Sequence, residues 1–160
     1  VSYFSDNKVN LVSGPVNFKK KKGFFQNFQA LEFLSLIGSG AGAIANNNAI
    51  FCNGANMAYR KNVFLELNDY GQENTVSGDD VFLLHSIKRK YNNSIVFAKE
   101  KDAIVITDSI QNFSSFINQR NRWVSKSNNY KDLQTIYVSF LILFINLIFI
   151  FLFMSMFMNK

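Results

Sequence analysis

Residues 78–98 read GDDVFLLHSIKRKYNNSIVFA and combine a helix start, an apolar helix face and a short strand. Apolar side chains recur every three or four residues, which predicts a helix from about Asp80 to Tyr91. Three basic residues occupy its last turn, where the helix dipole favours cations. Residues 94–98 and 103–106 predict two short strands. Strands that alternate with helices predict an α/β domain.

The residues before this stretch follow the same alternation. Residues 8–16 predict a strand that ends in a turn at Gly14-Pro15. Residues 24–37 have apolar side chains at near-helical spacing, and the helix they predict fits either a protein core or a membrane surface. Residues 38–48 are small and polar. The Gly-Lys-Ser/Thr ending of a phosphate-binding loop is missing, so we interpret them as a flexible connection. The other predicted elements are a strand from Ala49, a turn at Asn53-Gly54, an extended segment to Tyr59, and helices over 60–67 and 111–125.

The last predicted element is an uncharged run from Leu133 to Met158 that is rich in Phe, Leu and Ile. About 20 residues suffice for a helix to cross the hydrocarbon core. We therefore predict a transmembrane helix over residues 133–158, after a domain of residues 1–132. Four basic residues lie shortly before the run and only Lys160 follows it. Because basic residues favour the cytoplasmic side, residues 1–132 are expected to be cytoplasmic.

The chain is basic, with a formal net charge of +6 and a sequence pI of about 9.5, and residues 19–22 are four lysines. No nucleic-acid-binding motif accompanies them, so no nucleic acid is predicted as a partner. Near a membrane helix, anionic lipid headgroups are one partner for these lysines, and a solvated charge run is the alternative. Cys52 is the single cysteine, which excludes an internal disulfide.

Two adjacent carboxylates, Asp79 and Asp80, stand at the start of a predicted helix. One explanation is capping, since an Asp at the N-cap accepts backbone N–H groups and stabilises a helix by about 1 kcal/mol. The other is catalysis, since a rigidly held carboxylate can act as a general base on a substrate hydroxyl. The two positions alone leave both explanations open.

Residues 119–123, Gln-Arg-Asn-Arg-Trp, place Gln119, Arg122 and Trp123 on one helix face. The planar guanidinium of Arg122 can grip a phosphate. The indole of Trp123 offers a flat apolar surface for a sugar ring. Arg and Trp also anchor helices at the lipid interface, so this segment alone fits both roles.

The order of these motifs resembles membrane glycosyltransferases of family 2, which include cellulose-, chitin- and hyaluronan-synthase-like enzymes and their non-processive relatives. The similarity runs from about Val9 to the apolar C-terminal run. Four motifs in one order are more specific than each motif alone. They are Val-Ser-Gly-Pro-Val at 12–16, Phe-Cys-Asn-Gly-Ala-Asn at 51–56, Asp79-Asp80, and Gln-x-x-Arg-Trp at 119–123.

The resemblance implies a fold and a reaction. The fold is α/β, a partial GT-A type glycosyltransferase domain over residues 1–132 followed by the transmembrane helix. The reaction is an inverting transfer of a sugar from a nucleotide-diphosphate sugar to a carbohydrate or lipid-linked acceptor. Membrane lipids are the further partner that the helix implies.

The same resemblance implies roles for individual residues. Asp80, the second member of the acidic pair, would be the catalytic base. Gln119 and Arg122 would contact the donor diphosphate, and Trp123 would shape the acceptor site. The further substrate-binding residues implied are Asp79, Asn53 and Gly54.

The chain departs from the family in three respects. It contains no Asp-x-Asp, so Mg²⁺ or Mn²⁺ is expected to bind the full-length parent through a motif outside this chain, and no residue here is predicted to bind a metal. The Thr that usually precedes the acidic pair is Gly78, and relatives carry several membrane helices. We therefore expect the acceptor-side part of a longer enzyme, inactive in isolation. A membrane-anchored binding or scaffold protein on a degenerate transferase domain is the alternative.

Overall fold

The computed structural model describes residues 2–67, 79–127 and 131–158. The chain divides into two compact units, residues 1–129 and residues 130–160. The first unit holds every strand of the described residues, and the second holds one long helix. Gly78, which precedes the acidic pair, falls outside the described residues.

Five short strands in the described residues form two small sheets. They are β1 (Leu11–Ser13), β2 (Val16–Phe18), β3 (Met57–Tyr59), β4 (Ile95–Phe97) and β5 (Val105–Thr107). The central strand β1 pairs antiparallel with β3 and parallel with β4, and β2 pairs parallel with β5. Only Gly14-Pro15 separates β1 from β2. A hydrogen bond of 3.0 Å from the N–H of Val105 to the Pro15 carbonyl oxygen carries the pairing across this break.

Five α-helices accompany the strands in the described residues. They are α1 (Phe24–Ala45), α2 (Lys61–Glu66), α3 (Asp79–Lys90), α4 (Phe113–Ser127) and α5 (Leu133–Met158). Short 3-10 helices lie at Ser2–Ser5, Gly54–Asn56 and Lys101–Ala103. The predicted α/β class agrees with this composition, and the predicted bounds of α2 to α5 hold to within two residues.

The core of the first unit forms where α3 packs against the sheet. Leu83, Leu84 and Ile87 of α3 are fully buried, and they share a cluster with Leu11 of β1 and Ile95 of β4. Burying one such side chain contributes about 1.5–3 kcal/mol. This packing fixes α3, and with it the acidic pair at its start.

α1 is longer than predicted, because it continues beyond residue 37 as far as Ala45. The flexible connection predicted over residues 38–48 is therefore wrong. The glycines weaken the helix by about 1 kcal/mol each relative to Ala, yet one of them is needed for packing. A Cβ on Gly40 would lie 3.0 Å from Phe51 Cδ1 and 3.2 Å from the Phe51 carbonyl oxygen. The close approach of Phe51 to the helix therefore favours a residue without a side chain at position 40.

The strand predicted from Ala49 is also wrong, because residues 49–53 pair with no strand. Ala49 and Cys52 are buried in the core, so the apolar pattern that predicted a strand reflects burial. The predicted turn at Asn53-Gly54 is the start of the 3-10 helix Gly54–Asn56, and the second predicted extended segment is β3.

Two helices of the described residues are long and apolar enough to cross a membrane, α1 and the stretch Leu133–Phe157 of α5. Length and composition alone do not identify a span, because the core helix of a soluble domain passes the same test. α1 packs Phe33 and Ile37 against Val16 of β2, as a core helix does. The α5 stretch has a mean hydropathy of 2.8, and none of its most apolar window is buried.

A pair of leucine substitutions in α1 tests the packing at Gly40. Gly40→Leu should lower the free energy of unfolding by about 1–3 kcal/mol, because the added side chain overpacks against Phe51. Gly42→Leu is the matched control, since a Cβ there meets no atom within 4 Å. Urea unfolding of the first unit in detergent, followed by circular dichroism, measures both changes. Equal stability of the two variants would contradict the close packing of Phe51 on α1.

Candidate active site

The Asp80 carboxylate is held in place by two backbone N–H groups. Its Oδ2 accepts the N–H of Gly54 at 2.9 Å, and its Oδ1 accepts the N–H of Val81 at 2.9 Å. Asp80 is half-buried, and an ionised carboxylate offers about four acceptor positions. It therefore keeps acceptor capacity for a further hydrogen bond. The other member of the pair, Asp79, is the first residue of α3, and its side chain lies outside the described residues.

The segment 50–54 is fastened to α3 at two further points. His85 Nε2 donates a hydrogen bond to the Ile50 carbonyl oxygen at 3.1 Å. The buried Cys52 Sγ donates to the Asp80 carbonyl oxygen at 3.4 Å. Because this segment is not part of a sheet, these contacts with α3 determine where it lies.

Gly54 has a steric reason to be glycine. A Cβ at this position would lie 3.0 Å from Asp80 Oδ2 and 3.2 Å from Asp80 Cβ. The preceding Asn53 caps the 3-10 helix, because its Oδ1 accepts the N–H of Ala55 at 2.9 Å. Asn53 and Gly54, both predicted substrate-binding residues, thus shape the turn that contacts Asp80.

The turn is attached to the sheet through Asn56, a residue to which the sequence assigned no role of its own. Asn56 Nδ2 donates to the carbonyl oxygens of Pro15 at 2.8 Å and Ala103 at 2.7 Å, and the Asn56 carbonyl accepts the N–H of Gly14 at 2.8 Å. These contacts lie just beyond the carboxyl ends of the parallel strands β1 and β4. Ligands of α/β proteins commonly bind outside this edge of the sheet.

On α4, Trp123 is half-buried against the cluster formed by Val16, Phe33 and Ile37. Its indole also supports a charge, since the Arg120 guanidinium carbon lies 4.1 Å from the centroid of the ring. Cation–π contacts of this kind contribute about 0.5–2 kcal/mol. Trp123 is therefore held from two sides.

Arg120 is the residue of this motif that the sequence did not single out. Its Nε donates to Glu32 Oε1 of α1 at 2.9 Å, and its Nη2 pairs with Glu32 Oε2. Its Nη1 donates to Gln119 Oε1 at 2.7 Å. One guanidinium thus links α4 to α1 and orients both Gln119 and Trp123. One feature of the sequence pointed to this role, the position of Arg120 between the amide of Gln119 and the indole of Trp123. The sequence could not reveal the acidic partner, because Glu32 is 88 residues away.

Arg122 differs from Arg120 in being exposed to solvent. Gln119 is half-buried, and its oxygen is engaged by Arg120, so its amide nitrogen is the part that can donate to a ligand. Together, Gln119 and Arg122 are able to present N–H donors to an anion.

The two groups of predicted residues are connected through segment 50–54. Phe51 packs against the same apolar cluster as Trp123, and Gly54 contacts Asp80. Three residues of extended chain span at most about 11 Å, so the Cα atoms of Phe51 and Gly54 lie no farther apart than that. The segment therefore contacts Asp80 at one end and the cluster around Trp123 at the other.

The buried thiol of Cys52 lies beside Asp80 in an environment of low polarity. Burial raises the pKa of the Cys52 thiol, and the negative charge of Asp80 raises this pKa further. The thiol is therefore protonated at neutral pH and acts as a hydrogen-bond donor, not as a nucleophile.

The residues in ranges 2–67, 79–127 and 131–158 bring together no group of three or more His, Cys, Asp or Glu side chains that could hold a metal. These residues do not fit a divalent cation. The Mg²⁺ or Mn²⁺ expected for the full-length parent remains a prediction.

An open cavity of about 670 Å³ lies away from these residues, near the amino ends of β1 and β4. Its lining includes Arg60, whose guanidinium donates to the carbonyl oxygens of Phe4, Asp6 and Val9. The Arg60 side chain is thus committed to fixing the N-terminal segment. None of the predicted site residues lines this cavity.

The fold is a mixed α/β domain in which the acidic helix start contacts the turn at Gly54, beyond the carboxyl ends of the parallel strands. A comparison with known protein families matches residues 1–159 to Glycosyl transferase family group 2. The chain belongs to this family, which confirms the predicted family 2 glycosyltransferase domain. Glycosyl transfer is therefore its general activity, with a nucleotide-sugar donor and an acceptor as partners. A comparison with curated proteins gives no match.

Substitution of the two arginines should show that Arg120 stabilises the fold and that Arg122 does not. Arg120→Met should lower the free energy of unfolding by about 1–3 kcal/mol, because Glu32 and Gln119 lose a charged hydrogen-bond donor. Arg122→Met, at an exposed position, should change it by less than about 0.5 kcal/mol. Chemical unfolding in detergent measures both variants. A similar stability loss in the two would contradict the structural role of Arg120.

The raised pKa of Cys52 predicts slow alkylation. The thiolate is the reactive form, and its fraction at pH 7–9 stays low because the folded-state pKa lies above the usual range. Labelling by iodoacetamide should be slow in the folded protein and much faster in denaturant. Rapid labelling of the folded protein at pH 8 would show that the thiol is accessible and ionised.

Proposed function

We propose that this chain is the acceptor-side part of a GT-A type, inverting glycosyltransferase that works at the cytoplasmic face of a membrane. Its donor is a nucleotide-diphosphate sugar, and its acceptor is a carbohydrate or a lipid-linked carbohydrate. The observation that carries the proposal is the fixed Asp80 carboxylate beside Gly54, in a chain that belongs to a glycosyltransferase family.

Asp80 is the proposed general base. Two N–H groups hold its oxygens in place, and its half-exposed carboxylate can accept the proton of an acceptor hydroxyl. As the proton moves to Asp80, the hydroxyl oxygen forms a bond to the anomeric carbon of the donor sugar. The bond from that carbon to the diphosphate oxygen breaks, and the nucleoside diphosphate leaves with the electron pair. Attack opposite to the leaving group inverts the anomeric configuration.

The residues of α4 are proposed to receive the leaving group and the acceptor. Gln119 Nε2 and the exposed Arg122 guanidinium can donate hydrogen bonds to diphosphate oxygens, where negative charge grows in the transition state. The partly exposed indole of Trp123 offers an apolar surface to an acceptor sugar ring. Asp79, Asn53 and Gly54 are proposed to complete the substrate-binding site.

The membrane assignment rests on α5. Its 26 residues match the length of a membrane-crossing helix, and the basic residues of the chain lie mainly on its N-terminal side. In this proposal, α5 anchors the domain and holds it in the cytoplasm. The divalent metal is assigned to a motif of the full-length protein outside this chain, and no step of the reaction above depends on it.

The proposal is tested by Asp80→Asn in the full-length protein. The amide keeps the size of the side chain but cannot take a proton, so turnover should fall by at least about 10²-fold. Asp102→Asn, at an exposed position in the 3-10 helix Lys101–Ala103, is the matched control and should retain turnover. Transfer of radiolabelled sugar from a panel of nucleotide-diphosphate sugars measures both.

Two outcomes would contradict the proposal in different ways. Near-normal turnover in the Asp80→Asn variant would remove Asp80 from the role of base. A folded wild-type protein that transfers no sugar from any donor would favour the membrane-anchored binding or scaffold alternative.

A further inference from the structure

We propose that the open cavity of about 670 Å³ near the amino ends of β1 and β4 is a binding site for a neutral saccharide. We call it the β1–β4 cavity. Its lining comes from three parts of the chain, namely the residues just before β1, those at the start of and along α2, and those that join α3 to β4. The proposal rests on the side chains of this cavity and is independent of the role of Asp80.

The first observation is a buried amide without a partner, that of Asn10. The residue is 7% exposed and lines the cavity. Within residues 2–67, 79–127 and 131–158, the Asn10 side chain makes no hydrogen bond. Buried polar side chains are otherwise nearly always paired. The partner of the Asn10 amide is therefore a molecule that enters the cavity.

The position of Asn10 is fixed, because its backbone is bound on both sides. Its N–H donates to the Ser94 carbonyl oxygen at 2.8 Å, and its carbonyl oxygen accepts the N–H of Arg60 at 3.0 Å. The Arg60 guanidinium also binds the carbonyl oxygens of Phe4 and Asp6, which orders the segment before β1. A ligand that meets the Asn10 amide therefore pays little for ordering the protein.

The charged groups of the lining are largely engaged within the protein. Glu66 binds Lys90 Nζ at 3.0 Å and the Tyr91 hydroxyl at 2.5 Å, which ties α2 to the end of α3. The Arg60 guanidinium is engaged by backbone carbonyls. Of the cationic groups in the lining, only the exposed Lys8 amine has no partner in the described parts of the chain. The cavity thus favours a neutral ligand over an anion.

Side-chain amides are the commonest groups in the lining. Asn7, Asn62 and Asn92 line the cavity together with Asn10. An amide carries two N–H donors and an acceptor oxygen. A sugar hydroxyl also both donates and accepts, so it can replace a cavity water without loss of hydrogen bonds. Val63 is the single aliphatic residue of the lining that the structure describes, so an apolar ligand would gain little there.

The size and the position of the cavity suit a second saccharide site. Its volume lies within the range of about 300–1,000 Å³ that is usual for ligand pockets. Lys90 of the lining and Asp80 stand at opposite ends of α3, separated by about 15 Å along the helix axis. Glycosyl transfer brings an acceptor saccharide to this chain. A saccharide can therefore occupy the β1–β4 cavity while the candidate active site holds its own substrates.

The test measures saccharide binding to the full chain in detergent, in the absence of any nucleotide sugar. The probes are di- to hexasaccharides of glucose, of N-acetylglucosamine and of mannose. Titrations followed by saturation-transfer difference NMR give the Kd of each probe. Asn10→Leu removes the amide at similar side-chain volume and should raise the Kd at least about fivefold, as expected when hydrogen bonds to one amide are lost.

A second variant acts on the space in the cavity and leaves Asn10 in place. Asn62→Trp narrows the cavity from α2 at an exposed position, so this variant should fold and lose binding. Asn27→Leu, exposed on α1 and outside the lining, is the matched control and should keep the wild-type Kd. Urea unfolding followed by circular dichroism shows whether each variant is folded. If Asn10→Leu does not fold, Asn62→Trp decides the question.

Three outcomes would overturn the proposal. One is that none of the oligosaccharides binds to the wild-type chain. Another is unchanged binding in both Asn10→Leu and Asn62→Trp, which would place the saccharide elsewhere on the chain. The third is competition by inorganic phosphate, with binding that weakens steeply as sodium chloride is raised, because this result would show an anion site.

Discussion

The hydrogen bond from the Gly54 N–H to the Asp80 carboxylate is the constraint on which the candidate site depends. It joins the Asp80 carboxylate at the start of α3 to a segment that belongs to no sheet. The packing of α3 sets the position of Asp80, and Asn56 attaches the far end of the turn to Pro15 and Ala103. Each of these hydrogen bonds joins one side chain to backbone atoms, so the arrangement depends on few residues, chiefly Gly54, Asn56 and Asp80.

The Arg120–Glu32 pair is a second constraint, because it attaches α4 to α1. Arg120 also orients Gln119 and supports Trp123, which packs on the cluster that Phe51 contacts. The segment from Phe51 to Gly54 thus contacts Asp80 at one end and the cluster that holds Trp123 at the other. An acidic group for a hydroxyl proton and donors for a leaving diphosphate are the two requirements of glycosyl transfer with a nucleotide-sugar donor.

The sequence predicted what depends on local pattern and missed what depends on contacts between distant residues. Helix bounds for α3 and α5 followed from apolar periodicity and length, and family membership followed from four short motifs in order. The helical state of residues 38–45 could not be foreseen, because it depends on Phe51 packing on Gly40. The roles of Arg120 and Asn56 were missed for the same reason, since their partners are tens of residues away in the chain. The roles of Asp80, Gln119, Arg122 and Trp123 in catalysis remain predictions.

Helix α4 has a polar side and an apolar side. Arg122 lies about 180° around the helix from Phe113, and Gln119 lies about 120° from it, at 100° per residue. Phe113, Ile117 and Val124 are therefore exposed on one side of the helix, and Arg122 is exposed on the other side. Arg120 lies on the apolar side, where its charge is covered by Glu32 and by the rings of Phe116 and Trp123. Removing Glu32 would leave this guanidinium without its charged partner among aromatic rings, so the pair is needed for Arg120 to occupy the apolar side of α4.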